Sequence, residues 1–313
     1  MHQPIRDTTL LIWVAAFLSA STMSGTALAG CASIRETQVR ISNMRPVVDA
    51  EINGIPSQLI FDTGAVITTL GAQAAPRFGL LQSPTKSDFS SYGRPVEADL
   101  GRALTVHFAD KNVRDIDILV LRHGGFRVAD GFLGQDLLSD YDLDIDMAHG
   151  LIRLYTPTGC IDISQTLKTN STQMITIETS DSADHTRIFG VGRLNGAAIR
   201  ILFDTGTAKS HVTREAAQRA GVIRDAQDGS ATPGPSGLDG VPLASWIGPF
   251  RLQIGDEDAG TVELPIVDKP HASADMILGM DYFLAHRVFV MQRHSRIIVE
   301  RNAAAVFVPE AEK

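Results

Sequence analysis

The sequence has little positive charge and no local concentration of it. Its 28 Lys and Arg are outnumbered by 36 Asp and Glu, which gives a formal net charge of −8. Because phosphate recognition requires concentrated positive charge, we do not expect nucleic-acid binding. Only the amino terminus carries a sustained apolar run, so a polytopic membrane protein is excluded. Hydrophobic residues reach 44% and charged residues 20%, which excludes intrinsic disorder.

Aromatic residues and cysteines are scarce too. Aromatic residues make up 6% of the chain, while 27 Gly and 14 Pro favour many turns over long helices. The two cysteines are Cys31 and Cys160. Cys160 has no neighbouring His or acid arranged for nucleophilic catalysis, so we interpret it as an unreactive linker residue. The length of 313 residues fits two domains of ordinary size.

The amino-terminal segment predicts an export signal. Arg6 precedes an apolar run over 10–18 that is too short to span a membrane, and small residues follow it. We therefore interpret residues 1–30 as a signal peptide. The Leu-Ala-Gly-Cys sequence ending at Cys31 resembles a bacterial lipoprotein signal, which implies a lipidated Cys31, tethering to a membrane on the periplasmic side, and no disulfide. Cleavage after Ala29 is the alternative and would give a soluble periplasmic protein.

The chain contains two copies of one domain. Residues 52–64 correspond to 194–206 without a gap, and both segments end in Phe-Asp-Thr-Gly. Farther on, residues 131–136 correspond to 276–281, and both contain a hydrophobic-Leu-Gly triplet. These matches divide the chain into an N-terminal lobe at 36–156, a linker at 157–173, a C-terminal lobe at 174–303 and a tail at 304–313.

Each copy is predicted to be mostly β. Alternating segments predict strands, and Asn53-Gly54 predicts a tight hairpin turn between two of them. Short helices are expected at 72–78, ended by Gly79, and at 214–220. The predicted strands lie at 38–41, 47–52, 58–61, 104–108, 114–120 and 151–155, and at 250–254, 261–267 and 296–300.

A strand that ends in hydrophobic-Asp-Thr-Gly, followed by a hydrophobic-Leu-Gly triplet, resembles the aspartic protease superfamily. The two sets are 61–64 with 132–134 and 203–206 with 277–279. Each copy resembles a retropepsin-type domain, and the resemblance spans roughly residues 38–302. It implies an all-β fold of two tandem retropepsin-like lobes related by pseudo-twofold symmetry. Because one chain supplies both lobes, a monomer would be sufficient for a complete site.

Two carboxylates held about 3 Å apart cannot both ionise comfortably, so such a pair keeps one proton. The ionised member can act as general base on a water, while the protonated member polarises a carbonyl group. The resemblance implies that Asp62 and Asp204 are this pair, acting on a peptide or protein substrate. Hydrolysis by activated water would need no metal and no organic cofactor.

The resemblance also assigns supporting roles to the neighbours of this pair. Thr63 and Thr205 would each bond to the backbone of the opposite loop and would not be catalytic. Gly64 and Gly206 would allow close backbone approach and donate N–H groups to the carboxylates.

The residues that follow the two glycines differ between the copies. Thr207 has a hydroxyl that could bond to Asp204, whereas the side chain of Ala65 cannot bond to a carboxylate. We hypothesise that Asp204 is the more acidic member and that Asp62 holds the shared proton. Lys209 is a further departure from the family pattern; it could pair with a substrate acid, perturb the pair, or point into solvent.

Substrates of this superfamily bind as an added strand beneath a hairpin flap. Tyr92 and Gly93 are the candidate flap tip in the first copy, with an ordinary turn tyrosine as the alternative. Residues 232–237 of the second copy are rich in Pro and Gly, which predicts a loop more than a regular flap.

Three other groups of residues are discounted as sites. Asp136 and Asp281 repeat in register but are expected to cap short helices. The alternating acids of 140–146 lack the Gly and Glu of a calcium loop and are interpreted as a solvent-facing strand edge. The nine histidines form no zinc motif.

The sequence therefore predicts an exported aspartic-type endopeptidase. The alternative is a catalytically inactive peptide-binding or structural module that keeps the fold, which Lys209 and the irregular second flap would favour.

Overall fold

The computed structural model describes residues 33–83, 89–109, 111–155, 172–176, 187–222, 232–268, 273–291 and 296–301. Cys31, Cys160, the signal peptide, the tail and most of the predicted linker lie outside these residues. The described chain is mostly β-strand, and it forms two lobes of similar topology. The all-β fold class that the sequence predicts is confirmed.

The N-terminal half contains the first thirteen strands and one short helix. A two-residue turn at Asn53-Gly54, with φ of 53° and 74°, joins two of the strands as predicted. The elements are β1 (Ser33–Gln38), β2 (Arg40–Ser42), β3 (Arg45–Ile52), β4 (Ile55–Phe61), β5 (Thr69–Leu70), β6 (Leu81–Ser83), β7 (Phe89–Ser91), β8 (Arg94–Val96), β9 (Ala98–Phe108), β10 (Lys111–Leu121), β11 (Gly131–Leu133), α1 (Gln135–Leu138), β12 (Asp142–Asp146) and β13 (Leu151–Tyr155), with 3-10 turns at Ala75–Phe78 and Met147–His149.

The C-terminal half repeats this order with ten strands and two helices among its described residues. The elements are β14 (Thr172–Thr176), β15 (Phe189–Leu194), β16 (Ala197–Phe203), β17 (His211–Thr213), α2 (Arg214–Arg219), β18 (Thr232–Ser236), β19 (Pro242–Ile254), β20 (Glu257–Val267), β21 (Met276–Leu278), α3 (Met280–Ala285), β22 (His286–Met291) and β23 (Arg296–Arg301). The helix predicted at 214–220 is present, whereas the one predicted at 72–78 is reduced to a 3-10 turn, which Gly79 ends in the left-handed conformation (φ 60°).

The same strand pairing forms the centre of each lobe. In the N-terminal lobe, β4 runs parallel to β11, β11 is antiparallel to β5, and β5 is parallel to β10. In the C-terminal lobe, β16, β21, β17 and β20 pair in the same directions. The strand that ends in Asp-Thr-Gly therefore lies beside the strand that ends in Leu-Gly in both copies.

A third sheet of six strands joins the lobes. Its order is β1-β13-β12-β22-β23-β14, so three strands come from each half. The central contact is antiparallel, with Leu143 opposite Val290 and Ile145 opposite Val288. All four of these side chains are buried. Because a buried side chain contributes roughly 1.5–3 kcal/mol, this seam stabilises the association of the lobes.

The acids of β12 are not at a solvent-facing edge, and this expectation was wrong. Asp144 is fully buried in the middle of the joining sheet. Arg287 of the C-terminal half donates to both of its carboxylate oxygens, at 2.8 and 2.7 Å, and Arg153 donates to it at 3.1 Å. The central acid of β12 is therefore neutralised by arginines on the two neighbouring strands.

Candidate active site

The backbone of the neighbouring strand holds each Asp-Thr-Gly loop in place. Asp62 follows β4, and its N–H donates to the carbonyl of Leu133 at 3.0 Å. Asp204 follows β16, and its N–H donates to the carbonyl of Leu278 at 2.9 Å. The leucine of each Leu-Gly motif thus supplies the acceptor that fixes the start of the loop, which is why the two motifs occur together.

The two threonines bond across the lobe boundary. The hydroxyl of Thr63 donates to the carbonyl of Phe203 at 2.7 Å, and the hydroxyl of Thr205 donates to the carbonyl of Phe61 at 2.6 Å. Each hydroxyl oxygen also accepts the N–H of the other threonine, at 3.1 Å. Both side chains are fully buried, so water cannot replace these bonds.

The two glycines bring each loop against the aspartate of the other lobe. A Cβ placed on Gly64 would overlap the carboxyl group of Asp204, and one on Gly206 would overlap that of Asp62. The absence of a side chain at these two positions therefore permits the carboxyl groups to meet. Asp62 and Asp204 lie within hydrogen-bonding reach of each other, with 6% and 9% of their surface exposed.

The environment of Asp62 favours its protonated form. Burial raises the pKa of Asp62 well above its ordinary value, and the charge of Asp204 and a hydrogen bond to Asp204 raise it further. Two backbone N–H groups oppose this effect, since Gly64 and Ala65 donate to Asp62 Oδ1 at 2.8 and 2.9 Å. Burial and the neighbouring charge outweigh them, so the pKa of Asp62 stays raised and protonation is favoured at this residue.

Asp204 has a different set of partners. The hydroxyl of Thr207 donates to Asp204 Oδ2 at 2.7 Å, a charge-assisted hydrogen bond. The other oxygen, Oδ1, is buried and has no donor among the described residues. That oxygen is therefore available to accept a hydrogen bond from a protonated Asp62.

Asp136 does not cap a helix, contrary to our expectation. Gly134 is the N-cap of α1, and it has no side chain to cap with. The Asp136 carboxylate instead accepts the N–H and the hydroxyl of Thr68, at 2.9 and 2.8 Å. Thr68 Oγ1 in turn accepts the N–H of Gly134 at 3.1 Å. This network ties the loop after Asp62 to the Leu-Gly strand.

The second lobe repeats this network with a different hydroxyl residue. Asp281 accepts the N–H of Ser210 at 2.9 Å and its hydroxyl at 2.7 Å. Ser210 Oγ accepts the N–H of Gly279, the N-cap of α3, at 2.9 Å. The N-cap interpretation of Asp281 was therefore wrong as well. Both acids connect two loops that are about 70 residues apart.

Comparisons with known proteins match this arrangement. The aspartyl protease family matches residues 48–137, and the gag-polyprotein aspartyl protease family matches residues 191–285. Together the two matches cover more than half of the chain, one in each lobe. The chain belongs to the aspartic protease superfamily. Its two protease domains lie in tandem, as the repeats predict.

Solved structures agree on the fold of this chain. A crystal structure of the aspartic proteinase from Irpex lacteus is similar, with a TM-score of 0.52 and 15% identity over 88% of this chain and 99% of that chain. In all, 412 chains of solved structures match. A search of curated proteins found no match. At this low identity the likeness supports the fold alone.

The N-terminal lobe has a hairpin at the predicted flap. Strands β7 and β8 pair, and Tyr92 (φ 49°) and Gly93 (φ 68°) form the turn between them. The ring of Tyr92 lies 5.7 Å from that of His211 in the other lobe. Its hydroxyl lies within hydrogen-bonding reach of Thr207, and burial and the charge of Asp204 raise the pKa of Tyr92.

The C-terminal lobe also has a hairpin, where the Pro and Gly content of the sequence predicted a loop. Strand β18 pairs with the start of β19, with Thr232 opposite Ser245 and Ser236 opposite Pro242. A register shift lies between these pairs. Pro233 and Pro235 are accommodated because β18 is the edge strand of its sheet and needs no donor on its outer side.

His211 and Gln135 are parts of the site that sequence analysis missed. His211 is buried; its Nδ1 donates to the carbonyl of Lys209 at 3.1 Å, and burial lowers its pKa, so the ring is neutral. Gln135 is fully buried and donates to the carbonyl of Thr63 at 2.9 Å. The position of Gln135 directly after the Leu-Gly motif could have indicated that it belongs to the site.

The remaining candidates are placed as follows. Lys209 is half-buried, on the loop between Asp204 and His211. Within the part of the chain that is described, no group of three or more His, Cys, Asp or Glu has an arrangement for a metal ion. The same part has no helix that is both long and apolar enough to cross a membrane.

Proposed function

We propose that this aspartic protease is an endopeptidase that hydrolyses peptide bonds with water activated between Asp62 and Asp204. The observation that carries the proposal is the crossed contact of the two loops, in which Gly64 lies against Asp204 and Gly206 against Asp62. An aspartate pair that faces across two lobes and keeps one proton has the two groups that this reaction needs.

The two aspartates take different roles in the first step. Asp204, as the carboxylate, accepts a proton from water while the water oxygen attacks the carbonyl carbon of the substrate. Asp62 donates its proton to the carbonyl oxygen, which gives a tetrahedral diol. The buried position of Asp62 and the hydroxyl bond to Asp204 support this division of roles.

The second step reverses the proton movements. The proton on Asp204 passes to the leaving nitrogen, and Asp62 recovers a proton from a hydroxyl of the diol as the C–N bond breaks. The products are a carboxylic acid and an amine, and the pair returns to its singly protonated state. The cross-lobe threonine bonds keep the two carboxyl groups in place throughout.

Incubation with a diverse peptide library across a range of pH tests the proposal. We expect cleavage by the wild type, inhibition by a statine-type transition-state mimic, and loss of cleavage in Asp62→Asn and Asp204→Asn. Asp117→Asn is the matched control, since Asp117 forms an exposed ion pair with Arg102 elsewhere in the N-terminal lobe. Peptide binding without turnover, unchanged in the two active-site variants, would instead support the peptide-binding module.

We also propose that the protein is exported and held at a membrane by a lipid on Cys31. The proposal depends on the signal sequence that ends at this residue. A full-length protein expressed in bacteria should partition with membranes and incorporate labelled fatty acid. Cys31→Ser should abolish both, and a wild-type protein found only in the soluble periplasmic fraction would overturn the proposal.

A further inference from the structure

Arg45 is a positively charged residue near the aspartate pair that the proposed mechanism does not use. It is the first residue of β3 and lies two positions before Val47, which pairs with Ile60 of β4. Asp62 follows Ile60 by two positions, so the register of the two strands places Arg45 alongside Asp62 at the end of the ladder. Arg45 is thereby held next to the loop that carries one of the two aspartates.

The charge of Arg45 reaches the cleft between the lobes. Burial and the charge of Asp204 raise the pKa of Tyr92, the charge of Asp62 raises it further, and the charge of Arg45 lowers it. The Arg45 guanidinium and both aspartates are thus close enough to the Tyr92 hydroxyl for their charges to act on it. This places the guanidinium at the cleft and not on the outer surface of the lobe.

One nitrogen of the Arg45 side chain lacks a partner in the described part of the chain. Its Nη1 is buried and has no hydrogen-bond acceptor among those residues. An arginine side chain stays charged at any ordinary pH, and a buried N–H without an acceptor is unfavourable. A group that enters the cleft and supplies acceptor oxygens would remove this penalty. Arg45 therefore has the chemistry to bind such a group.

The second copy of the domain carries an arginine at the corresponding position, but in different surroundings. Arg187 lies two positions before Phe189, and its guanidinium lies 5.5 Å from the centre of that ring. Val47 stands at the place of Phe189 in the first copy and offers no ring. The two arginines are equivalent in position, and Arg45 is the one that has no aromatic residue at this place.

We propose that Arg45 binds a carboxylate group of the substrate and gives the peptidase a preference for acidic peptides. The inference rests on the proposed function, because it concerns the substrate of the same site. A guanidinium can donate two parallel N–H bonds to a carboxylate, and this pairing is stronger than a neutral hydrogen bond. It also offsets the repulsion between such a group and the singly ionised aspartate pair. The carboxylate would belong either to an Asp or Glu side chain or to the carboxyl terminus of a peptide.

A library of peptides with amidated carboxyl termini tests the side-chain source. The wild type should cleave with Asp or Glu enriched at one position of the aligned sites, and a Glu peptide should have a kcat/KM roughly tenfold above that of its Gln counterpart. Most of the difference should lie in KM, because a contact made equally with substrate and transition state does not change kcat. Peptides whose only carboxylate is a free carboxyl terminus, compared with their amides, test the other source.

Two substitutions at Arg45 separate the effect of charge from that of shape. Arg45→Gln should remove the preference for a carboxylate, and Arg45→Glu should favour Lys at the same position. Because Nη1 bonds to no described residue, Arg45→Gln should leave Tm unchanged, whereas a merely structural role would lower it. Arg40→Gln is the matched control, since Arg40 lies in the same hairpin, donates to Gln58 at 2.9 Å and should keep the preference.

Binding of statine-type mimics, measured by titration calorimetry, tests the contact without catalysis. In a series that carries Glu or Gln at each position flanking the statine, one Glu member should bind the wild type roughly tenfold more tightly than its Gln counterpart. Arg45→Gln should abolish the difference, and Arg40→Gln should keep it. If no variant cleaves peptides but this difference is found, the proposed function fails and the role of Arg45 stands.

Two results would overturn the role of Arg45. The first is cleavage by the wild type at equal rates for Glu and Gln peptides and for free and amidated carboxyl termini, which would leave the proposed function intact. The second is a preference for acids that persists in Arg45→Gln, because another group would then bind the carboxylate.

Discussion

The hydroxyl of Thr205 donates to the carbonyl of Phe61 across the lobe boundary at 2.6 Å, and its oxygen accepts the N–H of Thr63 at 3.1 Å. One side chain thus satisfies two buried backbone groups of the other lobe. This bond and its symmetric counterpart, from Thr63 to the carbonyl of Phe203, join the two active-site loops directly.

Thr205→Val should remove both bonds without a large change in volume. Because two buried polar groups lose their partner, we expect a loss of about 2–4 kcal/mol in the free energy of unfolding, measured by urea denaturation. Thr213→Val is the control: Thr213 accepts one N–H, that of Ala216, within a single lobe, and its loss should cost about 1 kcal/mol. Equal losses in both variants would contradict a special role for the cross-lobe bonds.

Thr207→Ala should shift the acid limb of the pH–rate profile to higher pH. The hydroxyl that donates to Asp204 Oδ2 stabilises the singly ionised pair, so without it the pair loses its first proton less readily. A shift of about one pH unit is expected. Thr207→Ser keeps the hydroxyl and should restore the wild-type limb. An acid limb that does not move in the alanine variant would refute the role of Thr207.

Asp62→Asn should stabilise the fold at neutral pH. The pKa of Asp62 is raised on folding, so the folded state binds the proton more tightly and wild-type stability falls as pH rises above the ordinary value of 3.8. Asparagine is neutral at every pH and escapes this loss. The difference in Tm between variant and wild type should be near zero at about pH 3 and grow toward pH 7. A difference that is constant with pH would contradict the burial argument.

Gly206→Ala should disrupt the pair itself. The added Cβ overlaps the carboxyl group of Asp62, which must move away. Since a displacement of about 1 Å can cost about 100-fold in rate, we expect kcat to fall by at least that factor. Gly125→Ala is the control, because a Cβ at Gly125 meets no atom within 4 Å. Undiminished activity in the Gly206 variant would exclude close contact between the lobes at this point.

Asp144→Asn should destabilise the association of the lobes. The variant leaves Arg287 and Arg153 beside a buried amide in place of a carboxylate, and losing one partner of a buried ion network costs about 3 kcal/mol. Thermal unfolding would show a lower Tm. Asp117→Asn, which breaks an exposed pair with Arg102, should change Tm little.

The sequence predicts those parts of the site that are built from motifs present in both copies of the domain. The Asp-Thr-Gly and Leu-Gly motifs recur in both copies, and the backbone bond from Asp62 to Leu133 follows from parallel pairing of the two strands. Asp204 repeats the arrangement with Leu278. When two short sequence motifs contact each other, both motifs can be recognised from the sequence alone.

The missed features depend on contacts between distant segments. A helix-cap explanation of Asp136 uses only its neighbours in sequence, whereas its partner Thr68 lies on the other loop. The acids of β12 alternate as on an exposed strand, but the arginines that neutralise Asp144 come from other strands. The ion pair between Arg94 and Asp239 was not predicted either, although the two residues are 145 positions apart, the spacing of the Leu-Gly motifs, and carry opposite charges.

The sheet that joins the lobes has a consequence for how the molecule is assembled. Its central seam, between β12 and β22, is made of non-covalent contacts: backbone hydrogen bonds, buried aliphatic side chains and the ion pair between Asp144 and Arg287. Each half supplies three of the six strands of this sheet. Because one chain carries both halves, the two unlike lobes are always present in a one-to-one ratio.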